Sequence, residues 1–120
     1  MNQGLILSEL LALIGKIGKD AAVVVEGKKD KEALEKFGIN GKRIFVLNKK
    51  PLFAVAEELA KDYSEAMILT DLDFEGKKLY GKLNTQLQQL GVKVDNNFRN
   101  FLFKHTKLRQ IEGLSNLIEQ

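Results

Sequence analysis

Two short apolar runs that stop on carboxylates constrain this chain more than anything else in it. Ala21 to Val25 runs into Glu26-Gly27, and Ala66 to Thr70 runs into Asp71-Leu72-Asp73-Phe74-Glu75-Gly76. Runs of this length, bounded by turn residues and followed by helical spacing, are the pattern of strands buried on both faces of a parallel sheet. In an open α/β sheet, ligands bind at the carboxyl ends of the strands. A glutamate on one strand end and two aspartates on another make an oxygen-rich pocket suited to Mg²⁺. That combination points toward phosphate chemistry.

The remaining residues alternate helix and strand. Ile6, Leu10, Leu13, Ile14 and Ile17 share one face of a helix over residues 4–17. That segment is too short to span a bilayer and carries Glu9, and no basic stretch precedes it, so a packed helix in a cytoplasmic protein is expected. Gly15 and Gly18 loosen the chain before the first strand, and Gly27 turns it afterwards. Asp30 is the expected N-cap of a helix through Lys36, with Gly38 beyond its end. Arg43 to Leu47 reads as a second strand, and Pro51 opens a helix that buries Leu52, Val55, Ala56 and Leu59. After the third strand, Leu79, Leu83, Leu87 and Leu90 repeat at helical spacing until Gly91. Val92 to Val94 gives a short fourth strand. Residues 96–120 form one or two helices, with Phe98, Phe101 and Leu102 on an apolar side and a break near Gly113.

This alternation specifies an α/β fold: a Rossmann-like open parallel sheet of about four strands flanked by helices. A chain of 120 residues builds one core and one domain. The common doubly wound order sets strands one and three side by side, roughly 4.8 Å apart. Glu26 and Asp71 would then face each other across a gap that one metal ion can bridge.

Composition narrows the chemistry. Cysteine is absent and His105 is the one histidine, which excludes disulfides, thiol nucleophiles and multi-histidine metal sites. A metal here must be held by carboxylates, favouring Mg²⁺ or Mn²⁺. The net charge of +3 is mild, but Lys42, Arg43, Lys49 and Lys50 fall in a stretch without an acid. That stretch suits either a polyanion or a solvated loop.

The segments Val23-Val24-Val25-Glu26-Gly27 and Leu69-Thr70-Asp71-Leu72-Asp73-Phe74-Glu75-Gly76 resemble the signature of the Toprim domain of topoisomerases and primases. That signature is a glutamate after the first strand and Asp-x-Asp after a later one. The resemblance covers residues 20–95, with the helix over 4–17 before it and a helical extension over 96–120 after it. Within the family, Glu26-Gly27-Lys28-Lys29-Asp30 and Thr70-Asp71-Leu72-Asp73 are most similar to the ribonuclease that matures 5S ribosomal RNA, and to bacterial primase Toprim domains. Asp73-Phe74-Glu75-Gly76 is also similar to the type I topoisomerase form. Strand passage and primer synthesis need further large domains, for which this chain has no room.

The resemblance implies roles. Glu26, Asp71 and Asp73 form the catalytic set, with Asp71 and Asp73 ligating Mg²⁺ (Mn²⁺ as substitute). Glu26 acts as general acid or base, or as a further ligand, and Glu75 as an outer ligand. Lys28, Lys77 and Lys78 neutralise the scissile phosphate, and the amides near Gly76 meet an anion. Plainer roles exist for several of these: Asp73 suits a helix N-cap, Lys77 and Lys78 suit an exposed helix face, and Tyr80 suits packing.

The function implied is Mg²⁺-dependent phosphodiester cleavage or related phosphoryl transfer on nucleic acid: a nuclease or other hydrolase, with RNA processing slightly favoured over DNA. An alternative is a nucleic-acid-binding module that needs a partner or lacks catalysis, using Lys42, Arg43, Lys49, Lys50, Arg99, Lys104, Lys107 and Arg109 for phosphate contacts. A third is a receiver-like phosphoacceptor domain. No membrane association is expected. The apolar N-terminal helix or the phenylalanine-rich segment could serve a homodimer or a partner protein.

Overall fold

Ala21–Val25 forms the central strand β1, buried along its whole length. The computed structural model describes residues 2–17 and 21–118, so the loosening expected at Gly18 lies outside the described residues. Strand β2 (Ile44–Val46) pairs with one side of β1, and β3 (Glu65–Ile68) with the other; β4 (Lys93–Val94) pairs with β3. All pairings are parallel and the sheet order is β2-β1-β3-β4, so strands one and three are neighbours as expected.

Side chains alternate across β1 and so divide the core. Val23 and Val25 face α1 (Gln3–Lys16), α2 (Lys28–Lys36), α5 (Asn97–His105) and α6 (Leu114–Ile118), packing with Leu10, Leu34, Phe98 and Leu114. Ala22 and Val24 face α3 (Leu52–Asp62) and α4 (Phe74–Gln89), packing with Val55, Leu59, Leu83 and Leu87. The result is a helix–sheet–helix sandwich. Each fully buried leucine contributes about 1.5–3 kcal/mol through removal of apolar surface from water.

Helix ends follow the glycines. Gly38 (φ +96°) and Gly91 (φ +81°) take the left-handed conformation just after α2 and α4, where a side chain would be strained. One expectation is corrected. Gly27 occupies the N-cap of α2, and Asp30 sits three residues inside, accepting the Gly27 N–H at 2.9 Å. The helix therefore starts three residues earlier than an Asp30 cap implies. Asp30 supplies the inner half of a capping box, its side chain reaching back to the N-cap amide.

Candidate functional site

Parallel pairing of β1 with β3 brings their carboxyl ends together, and the Leu69 N–H continues the ladder onto the Val24 carbonyl at 2.8 Å. The two acidic stops therefore meet. The Asp71 N–H donates to Glu26 Oε2 at 2.7 Å. Asp71 Oδ1 accepts the Ile111 N–H at 2.8 Å, and Asp73 Oδ1 accepts the Gly76 N–H at 2.7 Å as N-cap of α4. Each carboxylate thus has one oxygen anchored by a backbone amide. Among the described residues, Glu26 Oε1, Asp71 Oδ2 and Asp73 Oδ2 accept no hydrogen bond from the protein.

Electrostatics at this edge favour a cation. Burial pushes the Glu26 carboxyl up; the Asp71 amide opposes this, and the Asp71, Asp73 and Asp30 carboxylates add to it. Burial likewise raises Asp71, against the Ile111 amide, with Asp73 and Glu112 adding repulsion and Arg99 relieving part of it. Clustered acids held above their usual range gain from an added positive charge. Carboxylate oxygens are the right donors for a hard divalent ion, so the residues fit Mg²⁺ by chemistry. Among the described residues, no three acids or histidines are gathered into a ready ligand set.

The acidic loop is held from several sides. The Arg99 side chain is buried, its guanidinium lying 4.9 Å from the Tyr80 ring centroid and 5.1 Å from that of Phe103. Arg99 donates to the carbonyls of Thr70 and Asp71, the latter at 3.2 Å. The Thr70 hydroxyl donates to the Gly76 carbonyl at 2.7 Å, and the Leu72 N–H donates to the Arg109 carbonyl at 2.7 Å. A Cβ on Gly76 would lie 2.1 Å from the Asp71 carbonyl oxygen, so only glycine allows this approach. With its amide committed to Asp73, Gly76 acts here through close packing.

The other expected site residues scatter. Lys28 lines a depression of about 370 Å³ with Glu26, Asp30 and Asp71, opposite Gln110 and Glu112. Glu75, Lys77 and Lys78 are exposed on the first turns of α4. The basic stretch divides between the two ends of the sheet. Arg43 Nε donates to the carbonyl of Ala21, the first residue of β1, at 2.8 Å, and exposed Lys42 is adjacent. Lys49 and Lys50 follow the carboxyl end of β2, where the Asn48 N–H donates to the Glu26 carbonyl at 2.9 Å. Asn48 and Lys49 both take positive φ, +42° and +61°, in the turn closed by the Lys50 N–H on the Leu47 carbonyl.

Three contributors escape a reading of the sequence. Arg99, grouped there with surface cations, is buried beneath the site; its place beside Phe98 on a helix with an apolar side was the available signal. Asp30, read as a cap, is also a buried acid whose carboxyl is raised to about 6. The Ile111 anchor is a backbone amide, which leaves no mark in the residue type.

Residues 21–104 match the family model of the Toprim domain. A UPF0292 protein of Methanocaldococcus jannaschii is 32% identical over 105 residues, covering 85% of this chain and 81% of the relative. A UPF0292 protein of Pyrococcus abyssi is 40% identical over 107 residues, covering 88% and 79%. A solved structure from Aquifex aeolicus aligns with a TM-score of 0.78 at 37% identity, covering 88% of this chain and 95% of that one.

Proposed function

The chain belongs to the Toprim domain family, a metal-dependent, nucleic-acid-related family, and on that premise we propose that it cleaves phosphodiester bonds, or performs a related phosphoryl transfer, on nucleic acid with Mg²⁺. RNA is favoured over DNA through the similarity of residues 26–30 and 70–73 to the 5S-maturing ribonuclease. The observation that carries this reading is the bond from the Asp71 amide to Glu26 Oε2, which unites the two acidic stops. Such a protein works in the cytoplasm; no helix among the described residues is long and apolar enough to cross a membrane.

Asp71 and Asp73 would hold the ion, with Glu26 and Glu75 as further carboxylates nearby. Bound Mg²⁺ supplies phosphate orientation and stabilisation of the developing charge. Glu26, fixed at one oxygen by the Asp71 amide, uses the other to take or give a proton; burial keeps its carboxyl closer to neutrality than a surface glutamate. Lys28, exposed at the start of α2 beside Glu26, meets the phosphate. Incubation with Mg²⁺ or Mn²⁺ and structured RNA and DNA substrates tests the reading. Cleavage is expected from the wild-type protein and not from Asp71→Asn/Asp73→Asn; equal products from both would overturn it.

A second reading is a nucleic-acid-binding module without catalysis of its own. It is favoured by the commitment of Asp73 Oδ1 to capping α4 and by the lack of a ready ligand set among the described residues. Salt-dependent binding without cleavage, unchanged in the same double variant, would select it. Toprim membership leaves the receiver-like alternative without support.

A further inference from the structure

A cavity of about 730 Å³ opens between α2 and residues 107–116, on the side of the sheet that carries α1, α5 and α6. Exposed Lys29 lines one wall and exposed Lys107 and Arg109 the other, and Asp73 also lines it. Glu32 and Glu112 share the walls, so attraction here works through discrete contacts rather than a uniform positive field. Arg109 Nη1 donates to the carbonyls of Leu108 and Thr106, at 2.7 and 3.3 Å, which fixes its guanidinium. The wall is registered to the carboxylates by two bonds: the Leu72 N–H on the Arg109 carbonyl and the Ile111 N–H on Asp71 Oδ1.

A second feature adjoins Asp73. Phe74 is 82% exposed, far more than Phe53 at 51% or Leu5 at 55%. It sits at the first position of α4, between two acids, with its ring in solvent. An exposed aromatic beside a groove lined with cations is the pairing that binds unpaired strands: cations follow the backbone, and a ring takes the face of a splayed base.

We propose, resting on the cleavage reading above, that this groove is the track of an unpaired nucleic-acid strand, with phosphates against Lys29, Lys107 and Arg109 and a base stacked on Phe74 beside the carboxylates. A base stacked on Phe74 must have a free face, so the track takes an unpaired strand rather than a duplex. The track also makes Lys42 and Arg43 dispensable, since they stand at the opposite end of the sheet.

The test is fluorescence anisotropy with short labelled RNA and DNA strands and the matching duplexes, in Ca²⁺ or EDTA, across a salt series. Lys29→Glu/Lys107→Glu/Arg109→Glu is expected to weaken single-strand binding at least about tenfold and to lower the salt slope by about 2, at roughly 0.7 per phosphate contact. Phe74→Ala is expected to weaken it about tenfold with the slope unchanged, and Phe74→Trp to restore it. Lys42→Glu, at the opposite end of the sheet, is expected to leave binding near wild type. Unequal losses for RNA and DNA strands name the preferred sugar. Wild-type affinity in the groove triple variant, equal loss in Lys42→Glu, or preference for duplex would overturn the track. Hydrolysis of bis(p-nitrophenyl) phosphate, too small to need a track, separates the two ideas. Its loss in Asp71→Asn/Asp73→Asn but not in the groove variant supports both; hydrolysis without strand binding sinks the track alone.

Discussion

Asp30 is held near 6, above its ordinary value of 3.8, chiefly by burial, with the Asp71 and Glu112 charges adding to it and the Gly27 and Glu112 amides opposing. Below the lower value the group is protonated in both folded and unfolded chains. Between the two values the unfolded chain releases its proton first, so stability falls as pH rises through this window and is flat above it. The ionised group therefore costs on the order of 3 kcal/mol at neutral pH. Asp30→Asn keeps an oxygen for the Gly27 amide and removes the charge. Its melting temperature is expected to exceed that of wild type at pH 7 and to converge with it near pH 4; a constant difference across that range would contradict the assignment. Gly76 gives the opposite case. Gly76→Ala drives a methyl against the Asp71 carbonyl, and a loss of about 1–3 kcal/mol is expected in denaturant titration, as for other overpacked sites. At Lys49, where φ is +61°, Lys49→Gly should relieve about 1 kcal/mol of left-handed strain, visible as a raised denaturation midpoint.

Among the elements, α5 decides how firmly the acidic loop is held. Its Arg99 reaches the Thr70 and Asp71 carbonyls from between two aromatic rings. Arg99→Met keeps much of the packing but leaves two carbonyls without their donor, so a loss of about 2–4 kcal/mol is expected in chemical denaturation. Arg99→Lys should recover only part, since one ammonium cannot reproduce the planar fork. This helix also shows where a sequence is readable. Apolar runs and glycine stops announce β1, β3, α2 and α4, because burial on both faces and left-handed turns each demand particular residue types. The meeting of Glu26 with Asp71 follows from strand order, itself a consequence of that alternation. Arg99 is different: Phe103 lies four residues on along the same helix, but Tyr80 of α4 covers it only once the layers have closed. Ile111 is harder still, since any residue with an N–H could supply that bond.

Over the whole molecule, an ion bound as proposed would stabilise the fold. Mg²⁺ at a hundredfold excess over its dissociation constant adds about 2.7 kcal/mol to folding, which for a chain near this size raises the melting temperature by roughly 10 °C. Asp71→Asn/Asp73→Asn should abolish the rise; an equal rise in that variant would place the ion elsewhere. The Toprim match ends at residue 104, yet Ile111 beyond it anchors Asp71, and Ile111 and Leu114 are fully buried in the core. We infer that the segment after α5 folds as part of the same unit. The anchors of Asp71 reach across 45 residues to Glu26 and 40 to Ile111. Closing loops of that length costs entropy before any contact repays it, so helices with local bonds form early and the carboxylate cluster is completed late. A ligand that recognises only the finished cluster has nothing to hold in the folding transition state. Mg²⁺ should then slow unfolding in stopped-flow measurements and leave the refolding rate unchanged, so that the ion sets how long the native state lasts and not how fast it is reached.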